Sequence, residues 1–294
     1  MSAREGLLEP PIREEFEREI LDASNIGEIE RPLSLWERIT NITLVRRLFI
    51  LAIIAAAWQL YASWVNNPLM LPTFTDMVEA FVDSTMRGEM LAYAWGSVRV
   101  LLQGYVAGVL IAAVLTGFAV STRISNDFLS TVTAMFNPLP AIALLPLALL
   151  WFGLGTPSLI FVLIHAVLWP LALNTHSGFM SVSETLRMVG NNAGLTGVRY
   201  VAFILIPAAF PAILTGLKIG WAFAWRTLIA AELVFGAGGG GGGLGWFIFQ
   251  SRNELLTAYV FAGLTAVIVI GLLVESVIFR TIEARTVRKW GMQR

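Results

Sequence analysis

Glu232, two histidines and a run of glycines are the places where this sequence could do chemistry. Glu232 lies in AWRTLIAAELVF, near the end of an apolar run, six residues after Arg226 and farther from Lys218. An ionisable group in such a run marks function by default. The six-residue spacing takes Arg226 off its helical face, so the carboxylate needs a partner on another span or water at the interface. His165 is central in a second apolar run, with no histidine, cysteine or carboxylate three or four residues away. No metal pair forms on that face, and a hydrogen-bonded packing residue is the expected role. His176, farther along, has less support still, and no metal site is expected.

The glycines occur in VFGAGGGGGGLGWFI, residues 234–248. A phosphate loop needs a preceding strand, a following helix and a Lys-Ser or Lys-Thr pair. Here Leu244, Gly245 and Trp246 follow, and Gly-x-x-x-x-Gly-Lys-Ser/Thr occurs nowhere in the chain. The chain is therefore not expected to hydrolyse ATP itself. With no cysteine and no Gly-x-Ser-x-Gly, it also lacks the usual nucleophiles of an intramembrane hydrolase.

The elements that position these residues are set by the bilayer. Of 294 residues 56% are hydrophobic and 14% charged, and the mean hydropathy is +0.72. The apolar residues gather into long runs, as a polytopic membrane protein requires. A net charge of zero gives no bulk attraction to nucleic acid. Six spans are predicted: Leu48–Val65, about Val98–Val120, Val132–Phe152 interrupted by Pro138, Pro140 and Pro146, Ser158 to near Asn174, Ala208–Phe235, and Leu255–Phe279. Arg46, Arg47, Arg123, Arg187, Arg199, Arg280, Arg285, Arg288 and Lys289 then fall on one side. The positive-inside rule puts both termini in the cytoplasm and the glycine run outside.

Three polar pieces interrupt this pattern. Residues 1–47 form a cytoplasmic arm, either with a surface helix at REEFEREILDAS or partly disordered. LPTFTDMVEAFVDSTMRGEM carries Met77, Phe81 and Val82 at helical spacing after Thr75 and Asp76, which suit a cap; it predicts an interfacial helix outside. Residues 181–207, SVSETLRMVGNNAGLTGVRYVAFILIP, predict a short helix bearing Leu186, Val189 and Ala193, a glycine turn, and a second helix entering the membrane. Such a piece is either a docking element for a partner or an ordered loop.

At these residues the chain resembles the permease subunits of bacterial ABC importers, in the branch of the nitrate, sulfonate, taurine and bicarbonate permeases. That family's cytoplasmic signature opens Glu-Ala-Ala, continues to a glycine and ends in an Ile-x-Leu-Pro-like tail. In RMVGNNAGLTGVRYVAFILIP, Gly194 matches the glycine and Pro207 the proline, with Ile206 where leucine is usual. Met188 falls on the glutamate, and Val189 and Gly190 on the two alanines. The charge contact of that glutamate with an ATPase is thus not carried over, whereas the helix-turn-helix shape is. Leu71-Pro72, SVRVLLQGY (Ser97–Tyr105), FNPLPAIALLPLALLWFGLG (Phe136–Gly155), Asn174-Thr175, Glu232 and Gly243-Leu244-Gly245 resemble further family positions in order and spacing.

The resemblance implies an all-α, six-helix permease of the type I (MetI-like) importer fold. Its transmembrane domain covers residues 48–280, and residues 281–294 form a cytoplasmic tail. It implies a bacterial inner-membrane complex of a second permease chain, expected to be identical, two cytoplasmic ATPase subunits that hold ATP and magnesium, and an external solute-binding protein; this chain binds no cofactor. Ser183, Glu184, Arg187, Met188, Asn191, Asn192, Gly194, Leu195 and Pro207 are expected to couple to the ATPase. Pro138, Pro140, Pro146, His165, Asn174, Trp225 and Glu232 are expected along the translocation path, the prolines having kinked packing as their alternative role. Gly243 and Gly245 are expected to act as a backbone hinge at the outer mouth. Gly104/Gly108 and Gly216/Gly220 have the Gly-x-x-x-Gly spacing that allows close helix contact and could serve a dimer. An ion-coupled secondary transporter is the rival function, but no internal repeat supports it.

Overall fold

The computed structural model describes residues 41–235 and 242–291. The expected arm helix and residues 236–241 of the glycine run lie outside the described residues. Contacts divide the chain after Ile54 into two units, and the site lies wholly in the second, Ala55–Arg294. Among the described residues every regular element is a helix.

Helix α1 is Thr43–Val65 and α2 is Phe74–Met86. Trp58 of α1 donates from Nε1 to the Pro72 carbonyl at 3.0 Å. The cap of α2 is Thr73, two residues earlier than expected: its hydroxyl accepts from Asp76 N–H at 3.2 Å, and the Asp76 carboxylate accepts from Thr73 N–H at 3.1 Å. This reciprocal capping box satisfies two backbone donors that the first turn would otherwise leave open. Thr75 is engaged elsewhere, its N–H donating to Gln59 Oε1. Helix α2 buries Met77, Ala80 and Ser84, so it is packed on one face and exposed on the other. Thr73→Ala should cost about 1 kcal/mol, read as a lower melting temperature of the solubilised chain, with Thr73→Ser near wild type.

Helix α3, Glu89–Ala119, begins nine residues before the predicted second span. Nothing between Glu89 and Val98 breaks a helix, so it continues beyond its apolar run to Gly88, which takes a left-handed φ of 81°. The predicted third span is not one kinked helix. Helix α4, Arg123–Phe136, stops at the prolines, and the chain resumes as a 3₁₀ turn, Ala141–Leu144, and α5, Leu145–Phe152, the two arms meeting at 88°. Pro138 and Pro140 cannot donate to the preceding turn, and Pro140 is extended at ψ 122°. Helix α6, Thr156–Met180, includes Pro170 and outlasts the predicted span by the polar stretch Thr175–Met180.

Helix α7 is Glu184–Asn192 and α8 is Gly197–Tyr200; a π-helical turn, Val201–Leu205, leads from α8 into α9, Ile206–Phe235. The wide turn precedes Pro207, which has no N–H to offer the regular ladder. Helix α10 is Leu244–Asn253; α11, Thr257–Leu273, continues through a π turn at Val274–Phe279 to α12, Arg280–Glu283. Among the described residues five stretches are long and apolar enough to cross a membrane, and the bent pair makes six.

The core is built around α6. A Cβ on Gly104 would lie 2.5 Å from Leu163 Cβ, and one on Gly108 2.8 Å from Val167 Cβ. From the other side, Gly216 meets Asn174 and Leu171, and Gly220 meets Val167. The two Gly-x-x-x-Gly pairs therefore seat α6 against α3 and against α9 within one chain, rather than lying open for a dimer. Lys218 is also engaged, its ammonium meeting the Glu283 carboxylate.

Candidate functional site

The break between α4 and α5 makes the wall of a cavity of about 460 Å³. Pro138 and Pro140 line it from the break, His165 and Trp169 from α6, and Phe223 and Arg226 from α9. Three expected path residues, Pro138, Pro140 and His165, are thus brought together. His165 is not the hydrogen-bonded packing residue expected. Its ring lies 6.3 Å from that of Phe136 and 6.0 Å from that of Trp169, both edge-on, while both its nitrogens, like Trp169 Nε1, are buried without a hydrogen-bond partner among the described residues. Phe136 stacks on Trp169 at 5.2 Å with an interplanar angle of 12°. Arg226 donates from Nε to the Ala222 carbonyl at 3.1 Å, and its guanidinium lies 5.0 Å from the Phe223 ring centre.

The remaining expected path residues lie elsewhere. Pro146 occupies the first turn of α5, where a missing N–H costs nothing, so it starts a helix instead of opening one. Asn174 turns back on its own helix, donating to the Pro170 carbonyl at 2.7 Å. Trp225 is buried and donates from Nε1 to the Val267 carbonyl of α11 at 3.2 Å. Glu232 is only 4% exposed. His176 contacts the Asn126 side chain.

Of the two environments its spacing left open, a partner on another span or water at the interface, Glu232 has the first, and the partner is Ser97. The Ser97 hydroxyl donates to the carboxylate at 2.8 Å, Gly245 N–H donates to it at 2.9 Å, and Ser97 Oγ accepts from Leu244 N–H at 2.8 Å. The carboxylate thus holds the first turn of α10, where open N–H groups and the helix dipole favour negative charge. A Cβ on Gly243 would strike the Glu232 carboxylate and Ser97 Oγ, and one on Gly245 would lie 2.5 Å from Glu232 Cβ. These two glycines permit close approach, which differs from the free outer hinge expected of them. Ser97 is noted in the sequence only as the first residue of SVRVLLQGY; its pairing with Glu232 escaped reading because the two lie 135 positions apart. Arg99, one helical half-turn on, also went unread; it lines a second cavity, of about 660 Å³, beside Tyr93 and Gln103.

The polar segment folds as helix, turn and helix. Gly194 has φ +70°, and its N–H bonds to the Asn191 carbonyl while Leu195 N–H bonds to the Gly190 carbonyl. This left-handed C-terminal stop is open to glycine at little steric cost. Gly190 is the contact point: a Cβ there would lie 2.9 Å from Ile204 and 3.0 Å from Tyr200. Arg187 ties α7 to the end of α6, donating to the carbonyls of Phe179 at 2.6 Å and Val182 at 3.2 Å. Ser183, Glu184, Met188, Asn191 and Asn192 remain exposed and Leu195 half-buried, while Pro207 is the second residue of α9. Leu186, Met188 and Val189 present apolar side chains from an otherwise polar segment.

Residues 104–288 match the family described as the binding-protein-dependent transport system inner membrane component. The chain is 31% identical to the taurine transport system permease protein TauC of Escherichia coli, over 76% of this chain and 82% of the relative. It is 29% identical to the nitrate import permease protein NrtB of a Synechocystis species, over 84% and 90% respectively. With a putative aliphatic sulfonates transport permease protein, SsuC of Bacillus subtilis, it shares 29% identity over 84% and 87%. The matched segment takes in the broken span, the Glu232 carboxylate and the helix-turn-helix piece alike, and the chain belongs to the binding-protein-dependent transport system inner membrane components, the permeases of ABC importers.

Proposed function

We propose that two copies of this chain form the translocation path of an ATP-driven importer, with ATP and magnesium held by two cytoplasmic ATPase subunits and solute delivered by an external binding protein. Both termini lie in the cytoplasm in this reading, and α7 with its glycine turn is the surface that meets the ATPase. The solute is small: nitrate, a sulfonate such as taurine, or another organic acid, the classes named for the relatives. Closure of the ATPase dimer displaces α7; α9 follows because it leads directly from the turn, and α6 follows α9 through the close contacts at Gly216 and Gly220. The path then alternates between its two openings.

The observation that carries this reading is the shape of residues 183–207. A nine-residue helix exposing Leu186, Met188 and Val189 is closed by a left-handed glycine and anchored by Arg187 to a spanning helix. Such a surface is built to be gripped and to transmit the pull. At Met188, where the family signature carries glutamate, the grip is apolar.

Gly194 tests it. No atom lies within 4 Å of a Cβ placed there, so a substitution meets no steric bar and only the backbone conformation matters. Asparagine tolerates a left-handed φ; a β-branched residue does not. In the reconstituted complex, Gly194→Asn should keep solute uptake tied to ATP hydrolysis. Gly194→Val should lose that coupling, or the ATPase itself, while the chain stays in the membrane. Normal coupled uptake by the valine variant would refute the docking role.

A further inference from the structure

Arg226 stands in an apolar helix without a counter-charge. It forms no ion pair among the described residues, and among them it is the only charged residue lining the cavity of about 460 Å³. Its polar contact is one Nε hydrogen bond to its own helix, which leaves the terminal nitrogens of the guanidinium to face a ligand. Arg226 is an exposed residue of a helix long and apolar enough to cross a membrane, and an unpaired arginine in such a helix is costly and is kept where it meets a solute or a path.

A second feature of the same wall points the same way. Trp169 is 8% exposed, and among the described residues its indole N–H has no acceptor and neither nitrogen of His165 has a partner. Buried donors left open are rare, because each forfeits its bonds to water. Thr227 and Asn137 add a hydroxyl and an amide to the lining. The wall thus offers one positive charge and several donors, with no carboxylate among the described residues to compete.

We propose that this cavity is a selectivity subsite within the permease chain itself for a small organic monoanion with a flat apolar body, an arylcarboxylate or arylsulfonate. One guanidinium matches one anionic head, and its planar fork suits a carboxylate or sulfonate. The volume falls in the range of about 300–1,000 Å³ typical of organic-ligand pockets, more than an inorganic anion needs. Phe223 and the prolines supply flat apolar walls, and the rings of Phe136 and Trp169 already stack. The anionic head meets Arg226 in the cavity as it stands. Trp169 Nε1 is buried in this wall, beside the Phe136 stack, and becomes the second donor once the side chains around it shift in the bound state. That the bound anion is in transit rests on the permease reading above; the binding itself does not.

The test uses the full-length chain in nanodiscs of zwitterionic lipid, which removes anionic headgroups as competitors. Fluorine NMR line broadening compares para-fluorobenzoate with its neutral analogue para-fluorobenzamide. Wild type should bind the anion and discriminate against the amide. Arg226→Gln should weaken anion binding about tenfold or more, with Arg226→Lys between the two. Trp169→Phe, which removes the indole N–H, leaves a smaller aromatic ring and alters no charge, should weaken it about threefold to tenfold, and it carries the test if the arginine variant misfolds. Equal binding of anion and amide, no binding by wild type at millimolar concentration, or wild-type binding by Trp169→Phe and Arg226→Gln would each overturn the inference. A chain that passes the Gly194 experiment and fails here loses only the subsite; one that binds here and fails there loses only the docking role of α7.

Discussion

Glu232→Ala is expected to lower the stability of the solubilised chain by about 2–6 kcal/mol, because it orphans two buried donors, the Ser97 hydroxyl and Gly245 N–H, at about 1–3 kcal/mol each. The magnitude follows from geometry rather than from charge as such. Both donors are buried against the glycines at 243 and 245, and the lower end of the range applies where a water enters the space the carboxylate leaves. Glu232→Gln keeps the volume and one acceptor oxygen but turns an amide N–H toward one of the donors, so it should lose about half as much. Ser97→Ala removes a donor and also the acceptor for Leu244 N–H. The double variant should then cost less than the sum of the singles, since each single already breaks a bond shared by both. Thermal unfolding of the four proteins reads this directly. An alanine variant that melts with wild type, or strictly additive losses, would show that the Ser97–Glu232 contact contributes nothing.

What could be read ahead of the structure divides along a physical line. Spans were legible because the bilayer imposes its demand along the chain: Leu48–Val65 or Ala208–Phe235 can be seen as runs, and their ends shifted where flanking stretches such as Glu89–Ser97 and Thr175–Met180 stay helical and where Leu255 and Leu256 stay outside the last long helix. The turn at Gly194 was legible for the same reason, since a glycine after a short stripe is a local signal. The break at Pro138 and Pro140 was half legible. The prolines announce an interruption, but the 88° between its arms is fixed by what α4 and α5 pack against, as in the Phe136–Trp169 stack. The site was least legible. Ser97 meets Glu232 across 135 positions, and Arg226 faces a cavity whose other walls come from two other elements. Spacing could say that Arg226 was the wrong partner for Glu232; it had no means of saying what else an unpaired guanidinium serves. The glycine pairs mislead in a related way, because their spacing reports close approach without saying which helix approaches.

That last ambiguity can be resolved by experiment. Gly104→Leu should destabilise the chain by about 1–3 kcal/mol or more, since even a Cβ would lie 2.5 Å from Leu163 Cβ and neither helix can give without moving α6. On the same helix Gly117 has no atom within 4 Å of where a Cβ would stand. Gly117→Ala should therefore be neutral or stabilising by up to about 1 kcal/mol, through the backbone entropy that glycine loses in a helix. Leu163→Ala alone should cost about 2–5 kcal/mol, yet it should offset part of the Gly104→Leu loss in the double variant, because the new side chain can enter the space vacated. If the glycines instead served a second chain, Gly104→Leu would change the oligomeric state while leaving the melting of the protomer untouched, and Leu163→Ala would rescue nothing. The structure favours the first outcome at Val167, which is fully buried and meets Gly108 from one side and Gly220 from the other. A helix wedged on both faces by one residue cannot lend those faces to a partner, so the proposed pairing of two chains requires surfaces elsewhere on the bundle.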